Sequence, residues 1–146
     1  MLKKMTDIFR TKKRSEIMSK ISGKETKPEI LVRKYLFSKR FRYRKNDNRL
    51  PGKPDIVLPK YKTVIFIQGC FWHGHHCKAG NLPKTNKEFW ESKINSNIER
   101  DKKNQRELEK LGWKIIVIWQ CELKNKELRA KKLKETEQKI QNDYIV

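Results

Sequence analysis

The amino-acid sequence predicts one mixed α/β domain, and three observations carry that reading. Short β-branched and aromatic runs, Asp55 to Leu58, Thr63 to Ile67 and Ile115 to Trp119, alternate with segments whose apolar residues recur at helical spacing. Turn-forming residues separate them, most clearly Leu50-Pro51-Gly52-Lys53-Pro54. A chain of 146 residues, 36% of them hydrophobic, fits a single modest core. Helices interleaved with short strands stack as layers about a mixed sheet.

The elements follow in order. Residues 1–14 lack a hydrophobic period and read as a flexible basic arm, leaving 15–146 as the folded domain. Thr11 to Ser22 places Ile17, Met18 and Ile21 on one side of a short basic helix. Thr26-Lys27-Pro28-Glu29 has the form of a capping box and opens a helix whose stripe is Ile30, Leu31, Lys34, Tyr35 and Leu36. Phe41 to Arg44 alternates like a strand, Asp55 to Leu58 is a second, and Thr63 to Ile67 is a buried third that ends at Gly69. A loop dense in His, Cys and Gly runs from Gly69 to about Pro83. Thr85-Asn86-Lys87-Glu88 then offers a cap for a long helix to Leu111, with Gly112 at the left-handed position that ends it. Ile115 to Trp119 is the last strand, and Ala130, Leu133, Ile140 and Tyr144 mark a basic C-terminal helix.

Charge narrows the function. Lys and Arg number 37 against 17 Asp and Glu, a formal charge of +20. So large an excess calls for an anionic partner, nucleic acid first and a membrane surface second. The run Ile115 to Trp119 is far too short to span a bilayer. No apolar stretch follows Met1-Leu2-Lys3-Lys4, so no signal peptide is expected, and the three cysteines are expected to be reduced thiols in a cytoplasmic setting.

Three groups of residues carry candidate chemistry. All three histidines fall at 73–76, Cys70 and Cys77 bracket them, and Cys121 follows the last strand. Three thiolates and one imidazole would suit a closed, tetrahedral structural Zn²⁺ site. The spacing matches no standard zinc finger and fits three unrelated thiols beside a solvated histidine cluster equally well. Among the carboxylates, Asp55 is either a turn residue or a metal ligand at a strand end. Asp101 lies inside the apolar stripe Trp90, Ile94, Ile98, Gln105, Leu108 of the long helix, where it must be paired with a buried Lys or Arg or work on something. Glu29 already has a role as the capping-box acceptor. Phe71 and Trp72 stand in a polar loop, where large apolar rings are either packed or used to stack on bases; Trp113 and Trp119 read as core.

Pro54-Asp55, the block Val64 through Gly69-Cys70-Phe71-Trp72-His73-Gly74-His75-His76-Cys77, Glu88-Phe89-Trp90, Asn97 to Asp101, and Leu111-Gly112-Trp113 through Trp119-Gln120-Cys121 resemble the very short patch repair (Vsr) endonucleases. The resemblance runs from about Ser15 to about Leu123. It implies a restriction-endonuclease-like fold, a central mixed sheet flanked by helices with a structural zinc. It also implies Mg²⁺-dependent nicking 5′ to the thymine of a T·G mismatch left by deamination of 5-methylcytosine, in a bacterial, nucleoid-associated monomer with possible repair-protein partners.

By the same resemblance, Asp55 and the backbone carbonyl of Ile67 hold Mg²⁺, of which two ions are expected. His73 is the general base, and Glu29 and Asp101 support the site through water on the metal. Cys70, His75, Cys77 and Cys121 hold zinc. Phe71, Trp72 and Trp90 wedge into DNA beside the mismatch, and Met18 enters from the opposite groove. Gln68 stands where some relatives carry a histidine, and His76 is left without a role. The rival readings are a restriction-type nuclease of the same fold that cuts matched sites, and a zinc-stapled DNA-binding module without catalysis.

Overall fold

The computed structural model describes residues 27–142, so the arm, the basic helix with Met18, and Tyr144 lie outside the described residues. The elements are α1 (Lys27–Ser38), β1 (Arg44–Lys45), β2 (Ile56–Leu58), β3 (Thr63–Gln68), α2 (Lys87–Lys110), β4 (Lys114–Trp119) and α3 (Lys126–Asn142), with short 3-10 turns at Pro59–Tyr61, Lys78–Gly80 and Gln120–Leu123. The strands form one sheet in the order β1-β2-β3-β4. β1 and β2 pair antiparallel, β2 and β3 antiparallel, and β3 and β4 parallel, with Val64 opposite Ile115 and Gln68 opposite Trp119. The mixed α/β expectation is borne out.

The two-residue period of β3 builds the layers. Ile65 and Ile67 pack with Val32 and Leu36 of α1 and with Leu133 and Ile140 of α3. Val64 and Phe66 point the other way, toward Leu108 of α2. Every residue of β3 is buried, as a strand covered on both faces must be. The parallel β3–β4 pair requires a long crossover, which α2 supplies. Gly112 has φ +88°, the left-handed conformation expected where α2 ends. No helix among the described residues is long and apolar enough to cross a membrane.

Four local expectations need correction. The strand at 41–44 is only Arg44–Lys45, and Phe41 instead fills the core at 2% exposure. Two charged residues, Glu29 and Arg33, join Val32 and Leu36 on the buried face of α1, and Ile30 is exposed, while Leu31 and Tyr35 pack against the same core as expected. Asn86 caps α2 in the left-handed conformation with no side-chain hydrogen bond. In α3 Ala130 is exposed and Thr136 is buried, its hydroxyl donating to the Lys132 carbonyl at 2.8 Å.

Topology decides where chemistry gathers. β2 runs antiparallel to β3, so the start of β2 meets the end of β3, and parallel β4 ends on the same side. Asp55, Ile67–Gln68 and Gln120–Cys121 therefore share one end of the sheet.

Candidate active site and metal cluster

A cleft of about 560 Å³ opens at that end, and Glu29, Asp55, Ile67, His73 and Asp101 all line it. Asp55 Oδ2 accepts the backbone N–H of Ile67 at 2.7 Å. Within a strand the N–H and C=O of one residue face the same neighbour. The Ile67 carbonyl accordingly faces the edge where Asp55 sits. Burial, and secondarily the Glu29 carboxyl, pushes Asp55 up to about 7, against the lowering effect of the Ile67 N–H. The buried Glu29 carboxyl, the half-buried Asp55 carboxyl and a carbonyl oxygen form a hard-oxygen donor set, which fits Mg²⁺.

Glu29 lines the cleft, and its capping partner Thr26 lies outside the described residues. Glu29 is 3% exposed and hydrogen-bonded to Asp55, so its side chain is turned into the cleft. The partner of Asp101 is also settled. Asp101 Oδ2 stands 2.6 Å from His73 Nδ1, so the carboxylate in the apolar stripe of α2 answers an imidazole rather than a Lys or Arg. With Nδ1 donating to Asp101, Nε2 is left as the acceptor.

The loop that carries His73 is pressed onto α2. Gly74 has φ +68°, and a Cβ there would lie 2.6 Å from Ile98 Cδ1 and 2.9 Å from Ile94 Cγ2. Only glycine fits both the conformation and the contact. Asn97 Nδ2 donates to the Trp72 carbonyl at 2.9 Å, a second tie between loop and helix. The rings stand together at the rim. Phe71, Trp72 and Trp90 have centroids 5.1, 5.4 and 5.9 Å apart in edge-to-face contacts, and Trp72 is 48% exposed. Phe89 extends the cluster, 5.2 Å from Trp90 and 61% exposed. Sequence reasoning assigned Phe89 no part, although it is adjacent to Trp90. Gln68 lines the cleft, and His76 is exposed on the loop.

Behind His73 lies the second cluster. The ligand atoms of Cys70, His75, Cys77 and Cys121 all fall within 4.8 Å of one another. Cys121 Sγ is 3.5 Å from His75 Nδ1. A tetrahedron with Zn–S of about 2.3 Å and Zn–N of about 2.05 Å has an S···N edge of about 3.6 Å. The donor set and its spacing therefore fit zinc, with Nδ1 as the histidine ligand. Burial, then the neighbouring Cys70 and Cys77 thiols, push the Cys121 thiol up to about 12, a penalty that a divalent cation would relieve. His75 stacks on Trp119 with centroids 4.2 Å apart at 14°. Glu122 accepts the Trp119 N–H at 2.9 Å and pairs with Lys132 of α3 at 3.0 Å, which holds the turn bearing Cys121. A cation there would tie the 69–77 loop to the end of β4.

A carboxylate–imidazole cleft rimmed by exposed aromatics, in a chain of charge +20, is built to cut nucleic acid. The chain belongs to the DNA mismatch endonuclease Vsr family, whose model matches residues 6–79, and is an endonuclease. It is 64% identical over 129 residues to the type II nicking enzyme V.NmeAIP of Neisseria meningitidis, covering 88% of this chain and 92% of that one. It is 44% identical over 119 residues to the type II nicking enzyme V.XorIIP of Xanthomonas oryzae, covering 82% and 88%. It is 39% identical over 123 residues to the DNA mismatch endonuclease Vsr of Escherichia coli, covering 84% and 79%.

Proposed function

We propose that this chain nicks one strand of duplex DNA on the 5′ side of the thymine in a T·G mismatch, in a reaction that needs Mg²⁺. The observation that carries the reading is the His73–Asp101 pair at 2.6 Å in the cleft that also holds Asp55. Asp55 and the Ile67 carbonyl would hold the metal, with Glu29 beside them. When bound, Mg²⁺ neutralises phosphate charge and makes the phosphorus easier to attack.

The residues of the chain do the rest. Asp101 holds the His73 ring with Nδ1 as donor, so Nε2 faces the cleft as a base. A water attacks the phosphorus and passes its proton to Nε2. The P–O3′ bond breaks, and the 3′ oxygen leaves as a hydroxyl after taking a proton from solvent, so the phosphate stays on the 5′ end of the downstream fragment.

Mismatch choice belongs to the rim. An exposed ring cluster inserts where stacking is already weak, and a mismatched pair costs less to open than a matched one. Met18 would enter from the other groove. The +20 charge supplies affinity for phosphates in any sequence. The zinc cluster would fix the loop that bears His73 and two of the wedge rings, Phe71 and Trp72. The protein would act as a bacterial, nucleoid-associated monomer.

The test is to map the nick. A duplex with one T·G pair and each strand end-labelled should be cut on the thymine strand alone, leaving a 3′ end that a polymerase extends. Cleavage of both strands at matched sites would favour the restriction-type reading. Binding with no cleavage under any divalent metal would favour the non-catalytic module.

A further inference from the structure

Among the described residues that line the cleft, Lys53 is the one lysine or arginine, in company with the carboxyls of Glu29, Asp55 and Asp101. The other lysine and arginine residues among the described ones lie outside this cleft. The place of Lys53 is built, and the building starts in sequence. Pro51-Gly52 forms the centre of a turn closed by the Lys53 N–H donating to the Leu50 carbonyl at 3.1 Å. Gly52 has φ +77°, as the third position of a type II turn requires. A Cβ on Gly52 would meet Asn104 Cβ at 3.1 Å and Phe66 Cε1 at 3.2 Å, so the turn is wedged between α2 and β3.

Lys53 itself has φ +48°, in the left-handed region, immediately before Pro54. A side-chain-bearing residue held there is strained, and such strain persists where the surroundings over-determine it, often at functional sites. The residue before proline is also steered away from helical conformations. Asparagine or glycine would sit at this position with less strain; lysine adds only a flexible cation, two residues before the metal-binding carboxylate.

We propose that Lys53 is a further catalytic residue, whose ammonium contacts a non-bridging oxygen of the scissile phosphate and stabilises the charge that develops on it. The inference rests on the cleft being the nicking site. The chemistry of the cleft calls for such a group. Three carboxyls repel a phosphate diester, and a divalent ion held by them would contact only some of its oxygens, leaving a non-bridging oxygen for a second cation. Lys53 is exposed in the absence of DNA; a lysine on a four-carbon stem can follow that oxygen through the reaction, and a positioned cation acts where charge develops on it.

The experiment compares Lys53→Gly, Lys53→Arg and Asp55→Ala in single-turnover nicking of a T·G duplex. Glycine accepts φ +48° freely, so Lys53→Gly removes the cation without a backbone penalty. The rate of Lys53→Gly should fall by ~10²–10³, the usual effect of losing one oxyanion-stabilising donor. Lys53→Arg should recover most of it. Metal-free binding of a duplex with a neutral methylphosphonate at the scissile position gives a second readout. That duplex should bind wild type more weakly than the natural one, and Lys53→Gly should show little of this difference. A Lys53→Gly rate within threefold of wild type overturns the proposal, as does an equal methylphosphonate penalty in both proteins. Full activity of Asp55→Ala would instead show that the cleft is not the nicking site.

Discussion

Asp101→Asn isolates what the carboxylate does for His73. The substitution keeps the shape of the side chain and removes its charge. In the structure the two groups are 2.6 Å apart, with 31% and 23% of the His73 and Asp101 side chains exposed. A hydrogen bond to a charged group contributes about 1.5–3 kcal/mol, which as lost transition-state stabilisation is about 10- to 150-fold in rate. The partial exposure before DNA binds favours the lower half of that range. A second effect can enlarge it. The asparagine amide can present its NH₂ to Nδ1, which moves the ring proton to Nε2 and removes the base; in a serine protease triad the corresponding change costs about 10⁴. The assay is single-turnover nicking at saturating Mg²⁺, so that product release is silent. Asp101→Asn should lose at least about tenfold and at most about 10⁴. The double variant Asp101→Asn with His73→Ala should be no slower than His73→Ala alone, because both act through one imidazole. An Asp101→Asn rate within threefold of wild type, or losses that multiply in the double variant, would refute the orienting role.

Further outcomes follow from the same geometry. Cys121→Ala should lose one tightly held zinc per chain, measured by metal analysis, and should melt well below wild type, since structural zinc contributes folding free energy; a stable, fully active, zinc-free protein would contradict it. Burial raises Asp55 to about 7, so the folded state binds a proton that the unfolded state releases. Its share of metal-free stability is therefore greatest below the unfolded carboxylate range and is lost as pH rises to about 7. Divalent-metal affinity should move the opposite way, weakening about tenfold per pH unit below 7 and levelling above it, with proton release seen by calorimetry; a flat profile would sink the assignment. Trp72→Ala should shrink the T·G over T·A binding ratio by about 5- to 150-fold, from stacking of about 1–3 kcal/mol per base, and leave the salt dependence alone. With ~6–10 phosphate contacts, affinity should fall by ~10³–10⁵ between ~50 and ~200 mM salt, and substitutions in the Arg10 to Arg14 stretch should flatten that slope.

Much of this was legible before the fold, for identifiable reasons. β3 was readable because a strand covered on both faces must be a continuous apolar run, and Thr63 to Ile67 is one. Asp101 stood out because α2 is regular and long, so a carboxylate in its apolar stripe is an anomaly that periodicity exposes. The donor types of the Cys/His cluster were plain, but sequence spacing left their assembly open. Only the parallel register of β3 and β4 brings Cys121 beside Cys70 and His75.

Other features were hidden by physics that a linear pattern does not register. Glu29 sits where a capping box would place an acceptor, and its burial against Asp55 depends on how α1 crosses the sheet. Arg33 shares that inward face, and an apolar count alone does not register it. Lys53 is one of 37 basic residues, and nothing in its neighbours' identities separates it until the turn folds against Asn104 and Phe66. Phe89 is exposed beside a ring that was singled out, and its part follows from the 5.2 Å contact with Trp90.

The account turns on mismatch-directed cleavage by one cleft. The direct measurement is the single-turnover nicking rate on two duplexes of one sequence, differing only in T·G against T·A, for wild type and Asp55→Ala. Wild type should nick the thymine strand of the T·G duplex faster than the T·A duplex by at least about tenfold, and Asp55→Ala should cut neither while still binding both. Equal wild-type rates on the two duplexes, or undiminished nicking by Asp55→Ala, would contradict it.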